Sequence, residues 1–382
     1  MSQGKCRKKN MQTGKLAILF LCLALISCEH RPGLLGTQKI RFQVSYNPYE
    51  EVIWQEWRRC LSQHHDHINA RVDRIRAYDR AGYQAVVMLG YGGNPKLPFA
   101  YRQRLWPVGQ VVEGFKNDDE LLATLDNIRF FIPAMEEPGR EHTTSPFLTQ
   151  YIEKYPENSG KQKAQNQYQT PAEAMALITK LGGIPVLAHP TRTYRNYANL
   201  PLNIHVEIYN AQFRYRFFKG DRPQDDNEHF LKIWDALLLE RSTRTWGYAV
   251  NDWHGPFNLE LRSENPEIYD SGKTLVMVKE FSIEAYRRSI ERGAFFAIRD
   301  LGVEKNRYPR IDSISVTGTA IEIFSQAGAE VRWIGNGALI ASDSRLLLQS
   351  LPENLRYARA EVSNEHGTVF VQPFTLRPAV PR

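Results

Sequence analysis

Cysteine is scarce in this sequence, which has four in 382 residues: Cys6, Cys22, Cys28 and Cys60. Two of them lie within residues 1–27, which have the composition of a cleavable leader. Only Cys28 and Cys60 would remain after cleavage, so a framework of disulfides is excluded. The folded chain must instead depend on a buried apolar core, and hydrophobic residues make up 42% of the sequence.

A hydrophobic run long enough to cross a bilayer is also missing from the leader. Its apolar run, Leu16 to Ile26, falls short of the roughly 20 residues that a spanning helix needs. Basic residues precede the run and Ser27 follows it, a pattern typical of a secretory signal. A short membrane anchor is the alternative for the same run.

The residues around Cys28 resemble a bacterial lipobox, in which the cysteine is lipidated and becomes the new N-terminus. That resemblance implies a signal over residues 1–27 and a tether over residues 28–38. In enteric-type bacteria, Glu29 at the second mature position implies sorting to the outer membrane. We therefore expect a lipid-anchored protein of the bacterial cell envelope, periplasmic or facing the outer membrane.

A strong excess of one charge is absent as well. The formal net charge is +7, but residues 1–27 carry five Lys or Arg and no acid, so the remaining chain is near +2. That remainder contains no compact block of Lys and Arg. We therefore expect no nucleic-acid partner.

Strand and helix patterns alternate over residues 39–309. Runs typical of strands cover residues 39–45, 85–89, 128–132, 184–187, 204–209, 245–250 and 275–278. Helices are predicted from Val72 to Ala81, from Thr170 to Leu181 and from Ser282 to Gly293. Such repeated units predict a parallel sheet covered by helices, and their number favours a barrel over an open sheet. The chemistry of such folds gathers at the carboxyl ends of the strands.

The pattern changes near Tyr308, and no helix is predicted beyond it. Strands are predicted at 313–316, 320–324, 331–334, 359–362 and 369–374, with turn signals between them. Residues 310–382 are therefore expected to form a small antiparallel β domain.

Histidine and carboxylate side chains collect where the predicted strands end. His65 and His67 are one residue apart on an extended segment, which points both imidazoles to the same side. A solvated polar turn is the alternative for this motif taken alone. The later candidates are Glu136, His142, His189, Asp252 and His254. Ligands of this kind suit zinc, manganese or iron, and a carboxylate shared between two ions is typical of phosphoryl-transfer sites.

These motifs resemble those of the PHP (polymerase and histidinol phosphatase) superfamily. The matching segments are HHDH at 64–67, FIPAMEEPGREH at 131–142, GGIPVLAHP at 182–190, VEIYN at 206–210 and WGYAVNDWHG at 246–255. Residues 47–57 and 357–374 resemble the lead-in and the C-terminal β domain of extracytoplasmic, lipoprotein-type members. The resemblance implies the α/β class, as a distorted (β/α)7 barrel of PHP type with a small C-terminal antiparallel β domain. It also implies a metal-dependent phosphoesterase, in which a water activated by two metals attacks phosphorus.

The resemblance implies two metal sites that share Glu136. The first would be held by His65, His67, Glu136 and Asp252, and the second by Glu136, His142 and His189. His254 matches a ligand of the third metal in the family, and Glu207 matches a supporting acid. The Thr-Asp-His of the family is replaced here by Leu89-Gly90-Tyr91, and the Ser-Asp-Gly turn after the two histidines is missing. We therefore expect two divalent ions at most (Zn, Mn or Fe).

The remaining roles follow from these assignments. Asp252 and His254 are the expected catalytic residues, with His254 a candidate general acid once it is not needed as a ligand. Arg140 and Arg192 could fork onto a phosphate of a small phosphorylated substrate, with surface salt bridges as the alternative. Tyr91 could offer its hydroxyl to substrate or fill the space left by the missing histidine.

Two other functions stay open from the sequence. An amidohydrolase-like enzyme would cut another bond, but Glu136 followed by His142 fits the PHP pattern better. A degenerate barrel that serves as a non-catalytic surface binding module is the second alternative, because the Asp-His pair is lost. Residues 91–127 and 191–230 are expected to be loops that choose the substrate.

Overall fold

The structure, a computed structural model, describes residues 42–67, 72–91, 114–137, 141–150, 152–154, 167–168, 170–215, 227–252, 270–301 and 306–379. The predicted signal, Cys28 with its tether, Arg140 and His254 lie outside the described residues. The helices within these ranges are too short or too polar for any of them to cross a bilayer.

Strands and helices alternate through the first part of the chain. The strands are β1 Phe42–Tyr46, β2 Arg58–Gln63, β3 Ala85–Tyr91, β4 Phe130–Glu137, β5 Thr143–Thr144, β6 Glu153–Lys154, β7 Gln167–Tyr168, β8 Val186–Leu187, β9 His205–Asn210, β10 Gly247–Val250, β11 Gly272–Val278 and β12 Phe295–Asp300. The helices are α1 Val72–Arg80, α2 Asp118–Leu122, α3 Pro171–Lys180, α4 Ala211–Tyr215, α5 Asn227–Glu240 and α6 Ile283–Arg292. A single turn of 3₁₀ helix covers Tyr194–Asn196.

The later part of the described chain is almost entirely β. Its strands are β13 Ile311–Val316, β14 Ala320–Ser325, β15 Glu330–Gly335, β16 Ala338–Ala341, β17 Arg345–Leu347, β18 Tyr357–Asn364 and β19 Gly367–Pro378. A 3₁₀ turn at Leu348–Ser350 interrupts them. The antiparallel β structure predicted beyond residue 310 is confirmed.

A large mixed sheet organises the described residues. Its order is β10-β9-β8-β5-β4-β3-β2-β11-β12-β19-β18-β15-β16, with β1 paired to β19. The pairs β2–β3–β4 and β8–β9–β10 are parallel, and the short β5 links the two sets in antiparallel register. The candidate ligands therefore follow strands that run in one direction.

The C-terminal strands join this sheet instead of standing apart from it. β12 pairs with β19, which continues the ladder into β18, β15 and β16. β13, β14 and β17 form a separate three-stranded antiparallel sheet among the described residues. A domain boundary at residues 309–310 stays a prediction.

Along strand β3, alternate side chains pack into two different clusters of the core. Ala85, Val87 and Leu89 of β3 pack with apolar residues of β2, β4, β8, β10 and β11. Tyr286 and Ile290 of α6 fill the same cluster. The intervening residues of β3 pack against α1 on the other face. This alternation is the period-2 pattern of a strand buried on both faces.

The predicted helices are confirmed. They could be predicted because their capping residues form hydrogen bonds with near neighbours in the sequence. Thr170 forms a capping box with Glu173, with Pro171 at the first helical position of α3. Ser282 caps α6, which ends at Gly293 with φ of +79°.

Sequence reasoning missed several elements. The apolar spacing of α5, seen in Phe230, Ile233, Trp234 and Leu237, is a helical signal that was present in the sequence. β2 and β12 are strands for which no element was predicted. The expectation of loops over residues 91–127 and 191–230 is wrong in part, because α2, α4 and the start of α5 lie within them.

Candidate metal centre

Six of the predicted metal ligands converge in two groups. His65, His67 and Asp252 form the first group, and Glu136, His142 and His189 form the second. Within each group the ligand atoms lie within 4.8 Å of one another. The residues reach this place from the ends of strands: the first two histidines follow β2, Glu136 lies near the end of β4, and Asp252 follows β10.

The three residues of the first group are fully buried, and their side chains lie close together. The Nε2 atoms of His65 and His67 lie 3.2 Å and 3.3 Å from Oδ1 of Asp252. The backbone N–H of Asp252 also donates to the carbonyl oxygen of His65, at 2.6 Å. Asp252 adopts a φ of +55°, in the left-handed region that residues other than glycine rarely occupy. Such strain is characteristic of functional positions held by their surroundings.

The second group faces outward. Nδ1 of His142 lies 2.7 Å from Oε1 of Glu136, and Nε2 of His189 lies 3.9 Å from the same oxygen. The side chains of His142 and His189 are 37% and 14% exposed, whereas Glu136 is 2% exposed. His189 also has a positive φ, +29°. A small molecule could therefore reach the centre from the side of His142.

Glu136 lies between the two groups. Its Oε2 is 3.4 Å from Nε2 of His67, and its Oε1 is 3.7 Å from Nε2 of His65. The same Oε1 is the atom that contacts His142 and His189. One carboxylate thus contacts imidazoles of both groups, which is the arrangement needed to share a ligand between two ions.

The donor set fits divalent metal ions. Nε2 of His65 and Oε2 of Glu136 are buried and make no hydrogen bond of ordinary geometry among the described residues, although Oδ1 of Asp252 lies 3.2 Å from the first and Nε2 of His67 lies 3.4 Å from the second. Buried polar atoms are almost always partnered, so unpartnered ones call for a specific reason. A cation that accepts imidazole nitrogen and carboxylate oxygen would satisfy both, and zinc, manganese and iron have that preference.

The electrostatics of the two groups are strongly coupled. Burial alone would lower the pKa of His65, but the carboxylates of Asp252, Glu207 and Glu136 more than offset it and raise that pKa well above its usual value. Burial would raise the pKa of Glu136, but contacts with His142, His189 and His65 hold it well below its usual value. The pKa of Asp252 is likewise lowered, because the nearby histidines outweigh its burial. The cluster therefore favours ionised carboxylates, the form that binds metals.

His64 is separate from this centre. Its Nε2 lies 2.6 Å from the hydroxyl of Tyr286 in the core, and its ring packs against Tyr248. Burial lowers the pKa of His64 to about 3, so the ring is neutral. Within the described part of the chain, the second and fourth residues of the HHDH motif are those that belong to the first metal group.

Glu207 and Asn210 support the centre from β9. Glu207 is completely buried and contacts Nδ1 of His65 at 2.6 Å. Asn210 was missed by sequence reasoning, although it closes the VEIYN motif. Its Nδ2 lies 3.0 Å from Glu207 and 3.2 Å from Asp252.

The predicted substrate residues are only partly described. Arg192 forms an ion pair with Glu141, with Nε and Oε1 2.9 Å apart and one third of the arginine side chain exposed. This is the salt-bridge arrangement that was the alternative for Arg192, and it lies beside His142. The backbone of Tyr91 lies opposite Glu136 in the β3–β4 register, but its side chain is outside the description.

The fold and the site together define a mixed α/β protein with a candidate divalent-metal centre. Comparison with known proteins does not define the class of this protein more closely. No protein-family model matches the chain. None of the curated proteins matches it either.

Among solved structures, the chain is similar to a two-domain protein from Bacteroides vulgatus ATCC 8482, described as containing a predicted PHP-like metal-dependent phosphoesterase. The identity is 13% and the TM-score 0.42, over 88% of this chain and 98% of that one. At this identity and TM-score the similarity does not establish a shared activity. The functional proposal therefore rests on the ligand geometry of this chain.

Proposed function

We propose that this chain is a metal-dependent hydrolase of phosphate esters. The observation that carries the proposal is the convergence of six histidine and carboxylate ligands in two groups around Glu136, with the buried Nε2 of His65 and Oε2 of Glu136 left without a hydrogen bond of ordinary geometry among the described residues. Divalent ions in such a site lower the pKa of water and offset the charge that develops on phosphoryl oxygens.

The residues of the chain have distinct roles in this proposal. His65, His67 and Asp252 would hold one ion in the buried group, and His142 and His189 would hold the other on the exposed side. Glu136 would contact both. Because the exposed group faces solvent, the phosphate would approach past His142, beside the Arg192–Glu141 pair.

Four further residues are proposed to act on the substrate. Arg140 and Arg192 would bind its phosphate, and Tyr91 would either donate its hydroxyl or shape the site. His254 would serve as general acid, and Asp252 would take part in catalysis as an ionised metal ligand. Arg140 and His254 lie outside the described residues, so these roles rest on the sequence motifs alone.

The closure of the sheet into a barrel and the location of the protein are also proposals. The large sheet would close as a PHP-type barrel between β10 and β11, which is supported by the hydrogen bond from Oγ1 of Thr274 to the carbonyl oxygen of Ala249, at 3.3 Å. Lipidation of Cys28 would anchor the protein to the bacterial cell envelope, with the catalytic part outside the cytoplasm.

The test uses the full chain, with metal content measured by mass spectrometry and hydrolysis measured on a panel of phosphomonoesters and phosphodiesters. We expect two ions per chain and a loss of activity of at least about 100-fold in His189→Ala, since even outer residues of metal sites cost 10–100-fold. His366→Ala is the matched control, because this histidine lies in the turn between β18 and β19 and its side chain pairs with Glu365, which is not a candidate ligand.

Two results would contradict the proposal. A folded protein that binds no divalent ion and hydrolyses nothing would favour the non-catalytic binding module. A metal-loaded protein that cleaves amides or lactones but no phosphate ester would favour the amidohydrolase-like alternative.

A further inference from the structure

Glu207 directs its two carboxylate oxygens to different metal groups. Its Oε1 lies 2.6 Å from Nδ1 of His65, a residue of the first group. Its Oε2 accepts the backbone N–H of His189, a residue of the second group, at 2.8 Å. The side chain is completely buried in β9, so water cannot replace either contact.

Asn210 fixes the second oxygen and extends the contact to a third ligand. Its Nδ2 donates to Oε2 of Glu207 at 3.0 Å and lies 3.2 Å from Oδ2 of Asp252. The orientation of the amide is set from the other side, because its Oδ1 accepts the backbone N–H of Gln212 at 3.1 Å. The amide nitrogen therefore faces the two carboxylates.

The contact with Glu207 decides which nitrogen of His65 is available to a metal. An ionised carboxylate only accepts hydrogen bonds, so Nδ1 of His65 carries the proton in this contact. In the neutral ring the lone pair is then on Nε2, the atom that faces Asp252 and Glu136. A carboxylate behind a metal-binding imidazole also raises its basicity as a ligand.

We infer that Glu207 is a positioning residue that supports both metal groups at once, with Asn210 as its partner. It orients the imidazole of His65 in the first group and the backbone of His189, at its strained φ of +29°, in the second. Its negative charge also attracts a cation in either group. The inference rests on the proposed metal centre and adds a residue that contacts no ion itself.

Glu207→Gln tests this directly, because glutamine has one acceptor oxygen where the carboxylate has two. If the amide nitrogen faces His65, the ring must place its proton on Nε2, which then cannot bind a metal. If it faces His189, two N–H donors oppose each other. In both arrangements the charge that attracts two cations is lost.

The measurement is calorimetric titration of the metal-stripped full chain with Zn²⁺ in the presence of a competing chelator. We expect Glu207→Gln to weaken both binding steps by about 10–100-fold. Two reference variants establish the single-step patterns: His67→Ala should weaken the step of the first group, and His142→Ala that of the second. Glu361→Gln on β18, which removes a carboxylate paired with Arg359, is the matched control and should change neither step.

A second readout reports the protonation of His65. In the zinc-loaded wild type, the Nδ1 proton held by Glu207 should give a downfield imidazole resonance that is protected from exchange. In Glu207→Gln that resonance should disappear if the amide nitrogen faces His65, and should move upfield if the amide oxygen does, because a neutral oxygen accepts the proton more weakly than a carboxylate. If this variant does not fold, Asn210→Ala keeps the carboxylate and should still weaken zinc binding by about 10-fold, at the low end of outer-residue effects.

The outcomes separate the inference from the proposed function. Unchanged binding in folded Glu207→Gln, or weakening of one step alone, would overturn the inference. A wild type that binds two ions without cleaving phosphate esters would contradict the proposed function but leave the role of Glu207 standing. A wild type that binds no ion would overturn both.

Discussion

Gly272 lies against the carbonyl group of Val250, so closely that a Cβ at position 272 would stand 2.0 Å from the carbonyl oxygen. The contact brings the start of β11 to the end of β10, and these two strands share no backbone ladder among the described residues. Asn251 reinforces the approach, because its Oδ1 accepts the backbone N–H groups of Ser271 and Gly272. The next residue is Asp252, so this contact positions a candidate ligand.

Gly272→Ala should therefore destabilise the fold strongly. The methyl group meets backbone atoms on a neighbouring strand, which cannot move aside as a flexible side chain would, and overpacking costs about 1–3 kcal/mol or more. Urea unfolding measures the change. Gly318→Ala is the control, because among the described residues no atom beyond its two chain neighbours lies within 4 Å of its added Cβ, and it should change stability by less than about 0.5 kcal/mol. Equal stability of the two variants would disprove the close approach.

Divalent metal should stabilise the protein, because it would partner the buried Nε2 of His65 and Oε2 of Glu136. A ligand that binds only the folded state at 100 times its Kd adds about 2.7 kcal/mol. Thermal unfolding with Zn²⁺ or Mn²⁺, compared with a chelator, should show a clear rise in Tm. The rise should be smaller in His67→Ala, and Ca²⁺ should have less effect because it prefers oxygen ligands. An identical Tm in metal and in chelator would count against the centre.

Glu136→Gln should remove both ions, since this carboxylate contacts imidazoles of both groups. His142→Ala, in contrast, should remove one. Metal content per folded chain distinguishes the two variants. Glu365→Gln, at a side chain that is 81% exposed in the β18–β19 turn, is the matched control and should keep both ions. Retention of two ions in Glu136→Gln would rule out a shared ligand.

Asp79 should contribute stability that depends on pH. Its carboxylate accepts the backbone N–H groups of Asp126, Asn127 and Ile128 and so ties the end of α1 to the turn before β4. Burial would raise the pKa of Asp79, but these hydrogen bonds and Arg129 outweigh it and lower that pKa. A lowered pKa in the folded state means stability that is present above the unfolded value of about 3.9 and is lost as the pH falls further.

Asp79→Asn is the matching substitution. It replaces one acceptor oxygen by an N–H donor that faces other donors, at a cost of about 1.5–3 kcal/mol near pH 7. The difference from wild type, measured by urea unfolding, should shrink below pH 4. A difference that stays constant from pH 7 to pH 3 would show that the charge of Asp79 is not involved.

The local part of the fold was predictable from the sequence. α3 and α6 were predicted because Thr170 and Ser282 are caps whose hydrogen bonds depend on neighbours three residues away. β12 was not predicted, although Gly293 marks the end of α6, because Phe295–Asp300 is a short apolar run and periodicity alone does not distinguish a buried strand from a buried helical segment. The joining of β12 to β19 depends on partners far apart in the chain, and no local signal encodes it.

The candidate site was likewise predictable from the sequence only in part. The HHDH motif and the acids and histidines near strand ends marked six residues that the structure brings together. Asn210 could have been noticed in the VEIYN motif, but its use depends on Glu207 and Asp252 lying on either side of its amide. The ion pair of Arg192 with Glu141 was foreseen only as an alternative, because side-chain partners across loops leave no spacing pattern.

By itself, the sequence determined which side chains carry metal-binding chemistry, and that His65 and His67 lie one residue apart on an extended segment. These are properties of residue type and local spacing. Only the tertiary structure decided that Glu136 lies between two groups and that Glu207 contacts both from behind. The reason is that these contacts depend on which strands become neighbours in the sheet, and strand order is set by the burial of the whole core.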